Sequence, residues 1–143
     1  MRARILTLGL CTMVLAGVVR ADDIAAGLWE LSLEARVDAE PAFQPGPITS
    51  NQCLTKADAS DPSKLLAPIA SAGATGCTYL EKSYEGQTFR FKMQCSGTFE
   101  LKTSGEVTFS STMLHGLITT SSLVDGKKVE FKSTLVGRRL GDC

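Results

Sequence analysis

The chain has 143 residues, with 15 basic and 15 acidic side chains and five cysteines. That length suits one domain. The absence of net positive charge argues against a nucleic-acid partner or a polybasic contact with a membrane.

Arg2 and Arg4 precede an uncharged apolar run from Ile5 to Val19, and Val19-Arg20-Ala21 puts small or modest residues around a cleavage point. This is the pattern of a secretory signal peptide over residues 1–21, cut after Ala21. A membrane anchor needs roughly 20 apolar residues, and this run is shorter. Leu10 is too large for the residue before a lipidated cysteine, so Cys11 is not a lipoprotein site. Export would place residues 22–143 in the periplasm or outside the cell, with no membrane span. Cleavage would remove Arg2, Arg4 and Arg20 and no acid, leaving the mature chain three charges negative.

Gly27 to Val37 alternates strictly: Trp29, Leu31, Leu33, Ala35 and Val37 on one face, Glu30, Ser32, Glu34 and Arg36 on the other. This predicts a strand with one wet face. Residues 38–47 contain Pro41, Pro45 and Pro47, which remove backbone donors and predict a loop. Ile48 to Leu54 reads as a short strand. Thr55 with Asp58 resembles a capping box, and Asp61-Pro62 is an N-cap acid followed by the residue favoured at the first helical position. A short helix over Ser63 to Ala67 is expected, ended by Pro68, with a small-residue loop from Ser71 to Gly76.

From Cys77 onward the pattern is strand after strand. Thr78–Tyr84 and Thr88–Cys95 flank Glu85-Gly86-Gln87, a tight-turn signal. Phe89, Phe91, Met93, Cys95, Phe99 and Leu101 share odd positions, which reads as one long strand bent at Gly97. Thr103-Ser104-Gly105 reads as a turn. Val107 and Phe109 continue the inward face, followed by a row of Leu114, Gly116, Ile118 and Thr120. Asp125-Gly126 marks a hairpin, and Val129, Phe131, Ser133 and Leu135 close the series. The fold class is mainly β: a curled antiparallel β-meander or incomplete barrel with a short helical segment as lid.

Loss of Cys11 with the signal leaves Cys53, Cys77, Cys95 and Cys143. An even number in an exported chain is a disulfide framework with three connectivities. A zinc site would want a CxxC pair, and His115 is the single histidine. If Glu85-Gly86 is a two-residue loop, Leu80 faces Phe91, and Cys77 and Cys95 fall on opposite faces. They could then bond only across a bulge. This register favours Cys53–Cys77 and Cys95–Cys143.

Several segments together resemble a known family. They are Gly27-Leu28-Trp29-Glu30, Cys53-Leu54-Thr55 with Asp61-Pro62, Cys95-Ser96-Gly97, Gly105 to Phe109, and Gly137 to Cys143 with its terminal Gly-Asp-Cys. The chain is similar to the domain-of-unknown-function family numbered 3617, small exported proteins of Gram-negative bacteria. The resemblance covers nearly all of the mature chain. It implies a periplasmic or secreted location and supplies no activity, cofactor or catalytic residue.

No catalytic or metal-binding constellation emerges from the residues, and no cofactor is expected. His115 lies on the wet face with no partner acid or nucleophile suggested by spacing. Asp142 beside Cys143 could hold a soft metal, but the even cysteine count favours a disulfide there. Arg138 and Arg139 point to opposite faces of a strand and cannot clamp one anion together. Trp29, Phe89, Phe91, Phe99, Phe109 and Phe131 are a sizeable aromatic set. Core packing is their default role. In a partly closed sheet Trp29, Phe91 and Phe109 become candidate ligand-binding residues, with the proline-rich loop as a lip. The reading is a binding or accessory protein for an apolar small molecule or an envelope partner. The alternative is a structural or interaction protein with no small ligand. An enzyme is the least favoured.

Overall fold

The computed structural model describes residues 24–37, 45–71, 74–97 and 100–143. The signal-peptide reading, most of the proline-rich loop and Phe99 lie outside the described residues. Seven strands and one helix follow in chain order: β1 (Gly27–Arg36), β2 (Ile48–Leu54), α1 (Ser63–Ala70), β3 (Cys77–Glu85), β4 (Thr88–Ser96), β5 (Glu100–Phe109), β6 (Met113–Val124) and β7 (Lys127–Gly141). They form one sheet in the order β2-β1-β7-β6-β5-β4-β3. Every neighbouring pair is antiparallel. Strands β3 to β7 are the expected meander. The β1–β2 hairpin joins it by laying β1 against β7.

The sheet is not closed into a barrel: β2 and β3 are its two edges. Seven strands at about 4.8 Å spacing span roughly 29 Å. An eight-residue helix is about 12 Å long and about 10–12 Å across with its side chains, too small to cover that width. The sheet therefore curls over itself, and one apolar cluster joins Trp29 and Leu31 of β1, Leu65, Leu66 and Ile69 of α1, Phe89 and Phe91 of β4, Val107 of β5, Ile118 of β6 and Leu135 of β7. The alternating rows read from the sequence are the buried faces of β1, β4, β5, β6 and β7. The hairpin at Asp125-Gly126 holds both residues at positive φ, 51° and 76°, as a twisted two-residue connection requires.

Four details differ from expectation. The segment from Phe89 to Leu101 is not one bent strand. The chain reverses after Gly97, and Cys95 lies opposite Leu101 in neighbouring strands. A three-residue connection between Ser96 and Glu100 keeps odd positions facing odd positions, so the alternation runs through the reversal unchanged. Thr103-Ser104-Gly105 is not a turn but the middle of β5. Gly105 is there to make room: a Cβ on it would come within 2.6 Å of the Phe91 ring. Pro68 does not end the helix, which continues to Ala70. Proline's φ is helical, and the burial of Leu65, Leu66 and Ile69 outweighs the one backbone bond that Pro68 cannot donate. The fourth is the disulfide pairing.

The bonds are Cys53–Cys143 and Cys77–Cys95, not Cys53–Cys77 and Cys95–Cys143. The β3–β4 loop is Gly86-Gln87, because Glu85 pairs with Thr88. Nearer the other end Tyr79 opposes Met93 while Glu81 opposes Lys92, which leaves Leu80 as an extra, bulged residue. The bulge shifts the register by one and sets Cys77 directly opposite Cys95. Cys143 reaches Cys53 because Leu28 of β1 has Cys53 on one side and Gly141 on the other.

Candidate functional site

The helical segment fills the gap between the two sheet edges, and its attachments differ by face. After β2, the Thr55 hydroxyl donates to Asp58 at 2.8 Å and accepts from the Asp58 amide at 3.2 Å. This capping-box-like turn swings the chain across the open side. Asp61 stands just before Pro62, the cap residue of α1, and ties down the helix start: its carboxylate accepts from the Ser63 amide at 3.2 Å and from the Ser63 hydroxyl at 2.5 Å.

The same carboxylate reaches the far edge. Tyr84 of β3 donates its phenol hydrogen to Asp61 at 2.6 Å, and Lys82 stands 3.4 Å from its other oxygen. Tyr79, also on β3, donates to the Ser63 carbonyl at 3.0 Å. Lys82 further sits 5.5 Å above the Tyr79 ring. Below this polar seam the packing is apolar. Tyr84 stacks on Phe89 at 4.7 Å, Phe89 stacks on Phe91 at 5.4 Å, and Tyr79 meets both rings edge-on.

The electrostatics follow from this placement. Burial by itself would raise the pKa of Asp61. The hydrogen bonds from Ser63 and Tyr84 and the charge of Lys82 together outweigh it, and Asp61 sits below the usual carboxylate range. Both tyrosines are pushed up. Burial is the main cause in each, reinforced for Tyr84 by its bond to Asp61 and for Tyr79 by the nearby Tyr84 and Asp61. The seam thus holds a carboxylate that stays ionised and two phenols that stay neutral: a clamp, with no proton poised for transfer near neutral pH.

The candidate ligand residues Trp29, Phe91 and Phe109 come together in the buried cluster, each with at most 3% of its surface exposed. The Trp29 indole donates to the Ala25 carbonyl at 2.9 Å. Phe131 is half-buried on β7. His115 is exposed on the outer face of β6, opposite Val136 and Thr108. Arg138 and Arg139 do part: Arg138 pairs with Glu30 at 2.8 Å, while Arg139 donates to the Ala26 carbonyl at 2.7 Å and to Asp142 at 2.5 Å. Cys143 is spent on its disulfide. Among the described residues no group of His, Cys, Asp and Glu could hold a metal ion. No helix among them is long and apolar enough to cross a membrane.

The sequence marks Asp61-Pro62 as the helix start, one residue early, since α1 opens at Ser63 with Pro62 in the cap position, and it does not announce the second use of Asp61. The partner Tyr84 lies 23 residues away on another element, and no local pattern announces such a contact.

Fold and site together define a disulfide-stapled single-sheet protein whose curled sheet is sealed by a clamped helical lid. The chain belongs to the family described as protein of unknown function (DUF3617), whose model matches residues 24–143. Comparison with curated proteins and with solved structures finds no significant match.

Proposed function

We propose that this is an exported binding or accessory protein, without catalytic activity, that meets a protein partner of the envelope with the outside of its sheet. The observation that carries this reading is the contrast between the two faces. The inner face is filled by the chain's own side chains: Trp29, Leu31, Phe89, Val107 and Leu135 are all but inaccessible. No buried side-chain nitrogen or oxygen among the described residues lacks a hydrogen-bond partner.

The outer face leaves large apolar groups in water, with Leu117 at 65% exposure and Met113 and Val136 also open. Val136 lies opposite His115, so Met113 and Leu117 are its diagonal neighbours across the β6–β7 pair. The three form one apolar patch around the histidine, bordered by the Arg138–Glu30 pair. A scattered apolar residue needs no explanation, but a contiguous group with a polar rim suits a contact surface. Photo-crosslinking tests it. A benzophenone amino acid at position 117, in protein exported to a bacterial periplasm, should give a discrete heavier band that the same probe at position 49 on β2 does not give. No band from position 117 would count against the reading.

The second reading is an apolar small molecule held under the lid by Trp29, Phe91 and Phe109. The clamp favours it, since α1 is held to β3 through Asp61 and Ser63 by polar contacts at the rim. Releasing those contacts would open the aromatic cluster without breaking the sheet. A native mass spectrum carrying an adduct lost on denaturation would support this reading, and equal native and denatured masses would reject a retained ligand.

A further inference from the structure

The two disulfides have opposite surroundings. Cys95 is buried, with 1% of its surface exposed, and Cys77 is half-buried beside it. Cys53 and Cys143 are both exposed. They open into a depression of about 690 Å³ whose walls include Gly27, Thr55, Lys56 and Arg139. Lys56 and Arg139 border the exposed bond together with Asp142, which is ion-paired to Arg139, so Lys56 is the charge on this wall left without a counter-ion among the described residues. Arg139 is held in place by the Ala26 carbonyl and Asp142. Lys56 follows Cys53 by three residues and takes part in none of the ion pairs among the described residues.

Thiol–disulfide exchange needs an accessible sulfur and a leaving thiolate of low proton affinity, and neighbouring cations lower that affinity. We propose that Cys53–Cys143 is a thiol–disulfide exchange site for an external dithiol of the CxxC class, and that Cys77–Cys95 is a structural bond outside its reach. The incoming thiolate attacks Sγ of Cys143, which lies past the end of β7 and is free of strand pairing. The Cys53–Cys143 bond breaks, and its electron pair leaves on Sγ of Cys53, beside Lys56 and Arg139. The second thiol of the reductant, once deprotonated, attacks the mixed disulfide and releases Cys143 as a thiolate, which takes up a proton with Cys53. The external dithiol is oxidised by two electrons and the protein disulfide reduced by two. The consequence is local. Edge strand β2 loses its tie to the end of β7 and keeps its ladder to β1.

The test uses the oxidised chain and dithiothreitol as the probe, with alkylation at timed intervals and peptide masses to score each bond. Cys53–Cys143 should open about 100-fold faster than Cys77–Cys95, the difference expected between an exposed, cation-flanked bond and a shielded one. Lys56→Glu should slow the opening of Cys53–Cys143 about threefold and leave the Cys77–Cys95 rate unchanged. Lys56 is a surface residue, so this variant keeps the fold. Equal rates, opening of Cys77–Cys95 first, cooperative loss of both bonds, or an unchanged rate in Lys56→Glu would each overturn the proposal.

Discussion

Gly105→Ala isolates one contact that decides how the sheet is packed. Gly105 lies opposite Phe91 on one side and Ile118 on the other. An added methyl would stand 2.6 Å and 2.7 Å from two ring carbons of Phe91 and 3.3 Å from a side-chain carbon of Ile118. Carbon atoms settle at about 3.5–4.0 Å, so the ring must move by nearly an ångström. It has nowhere to go. Phe91 is stacked on Phe89 at 5.4 Å and capped edge-on by Tyr79 at 5.7 Å. Overpacking of this kind costs about 1–3 kcal/mol. For a chain of this size that is a fall in Tm of about 4–12 °C, read by thermal unfolding followed by circular dichroism. Phe91→Leu is destabilising alone but removes the clash, so the double variant should recover at least about 1 kcal/mol relative to the sum of the singles. If Gly105 sat in a turn, alanine would cost little unless φ were positive, and the two substitutions would add. A Tm unchanged within 1 °C, or strict additivity, would refute the β5 placement.

Proteolysis without reductant should yield one linked pair of peptides carrying Cys53 and Cys143 and another carrying Cys77 and Cys95; any Cys53–Cys77 peptide in native protein would contradict the bulge at Leu80. Tyr84→Phe removes the donor to Asp61 and should cost about 1 kcal/mol in urea unfolding, below the range for buried bonds to charged groups because this one is exposed to solvent. The lowered pKa of Asp61 predicts stability that is present above its unfolded value of 3.8 and lost as pH falls through the lower folded value. Asp61→Asn should therefore lose less of its stability than the wild type between pH 4 and pH 2, by urea midpoints. The raised phenols act at the other end: stability present below the ordinary tyrosine value of 10.0 should fall as pH rises above it. Ultraviolet titration should show Tyr79 and Tyr84 ionising after a free tyrosine does.

The inward rows were legible because period-two alternation survives any connection that preserves parity. That same property hid the reversal between Ser96 and Glu100: with three residues between the strands, the apolar residues stay on odd positions and a hairpin looks like one strand. The false turn at Gly105 arose from reading a glycine as backbone freedom where it supplies space for a ring on the next strand. The disulfides failed for a third reason. The bulge at Leu80 depends on the pairing of β3 with β4, and nothing in the residues Thr78 to Lys82 taken alone marks it. The clamp was half legible, since the Asp61-Pro62 signal for a helix start is local, if one residue early, whereas Tyr79, Lys82 and Tyr84 reach the segment from the opposite edge of the sheet.

The strand order also constrains when the domain can form. Strand β1 is not complete beside β2 alone, because its other side is covered by Lys132 to Gly141 of β7. Trp29, Leu31 and Leu33 are buried on β1, and their shelter includes α1 and strands drawn from the last third of the chain. A two-stranded hairpin by itself is at best marginal in water. The first two strands therefore gain their stability when β7 arrives, roughly a hundred residues later, and that long-range pairing slows folding. The Cys53–Cys143 bond then ties the same junction, joining the edge of the early hairpin to the end of the last strand. That ordering suits the export proposed above, since β1 and β2 cannot settle into their native places until β7 has been delivered. Deleting β7 should accordingly leave β1 and β2 unprotected in hydrogen exchange, whereas a hairpin stable in its own right would keep its slow amides.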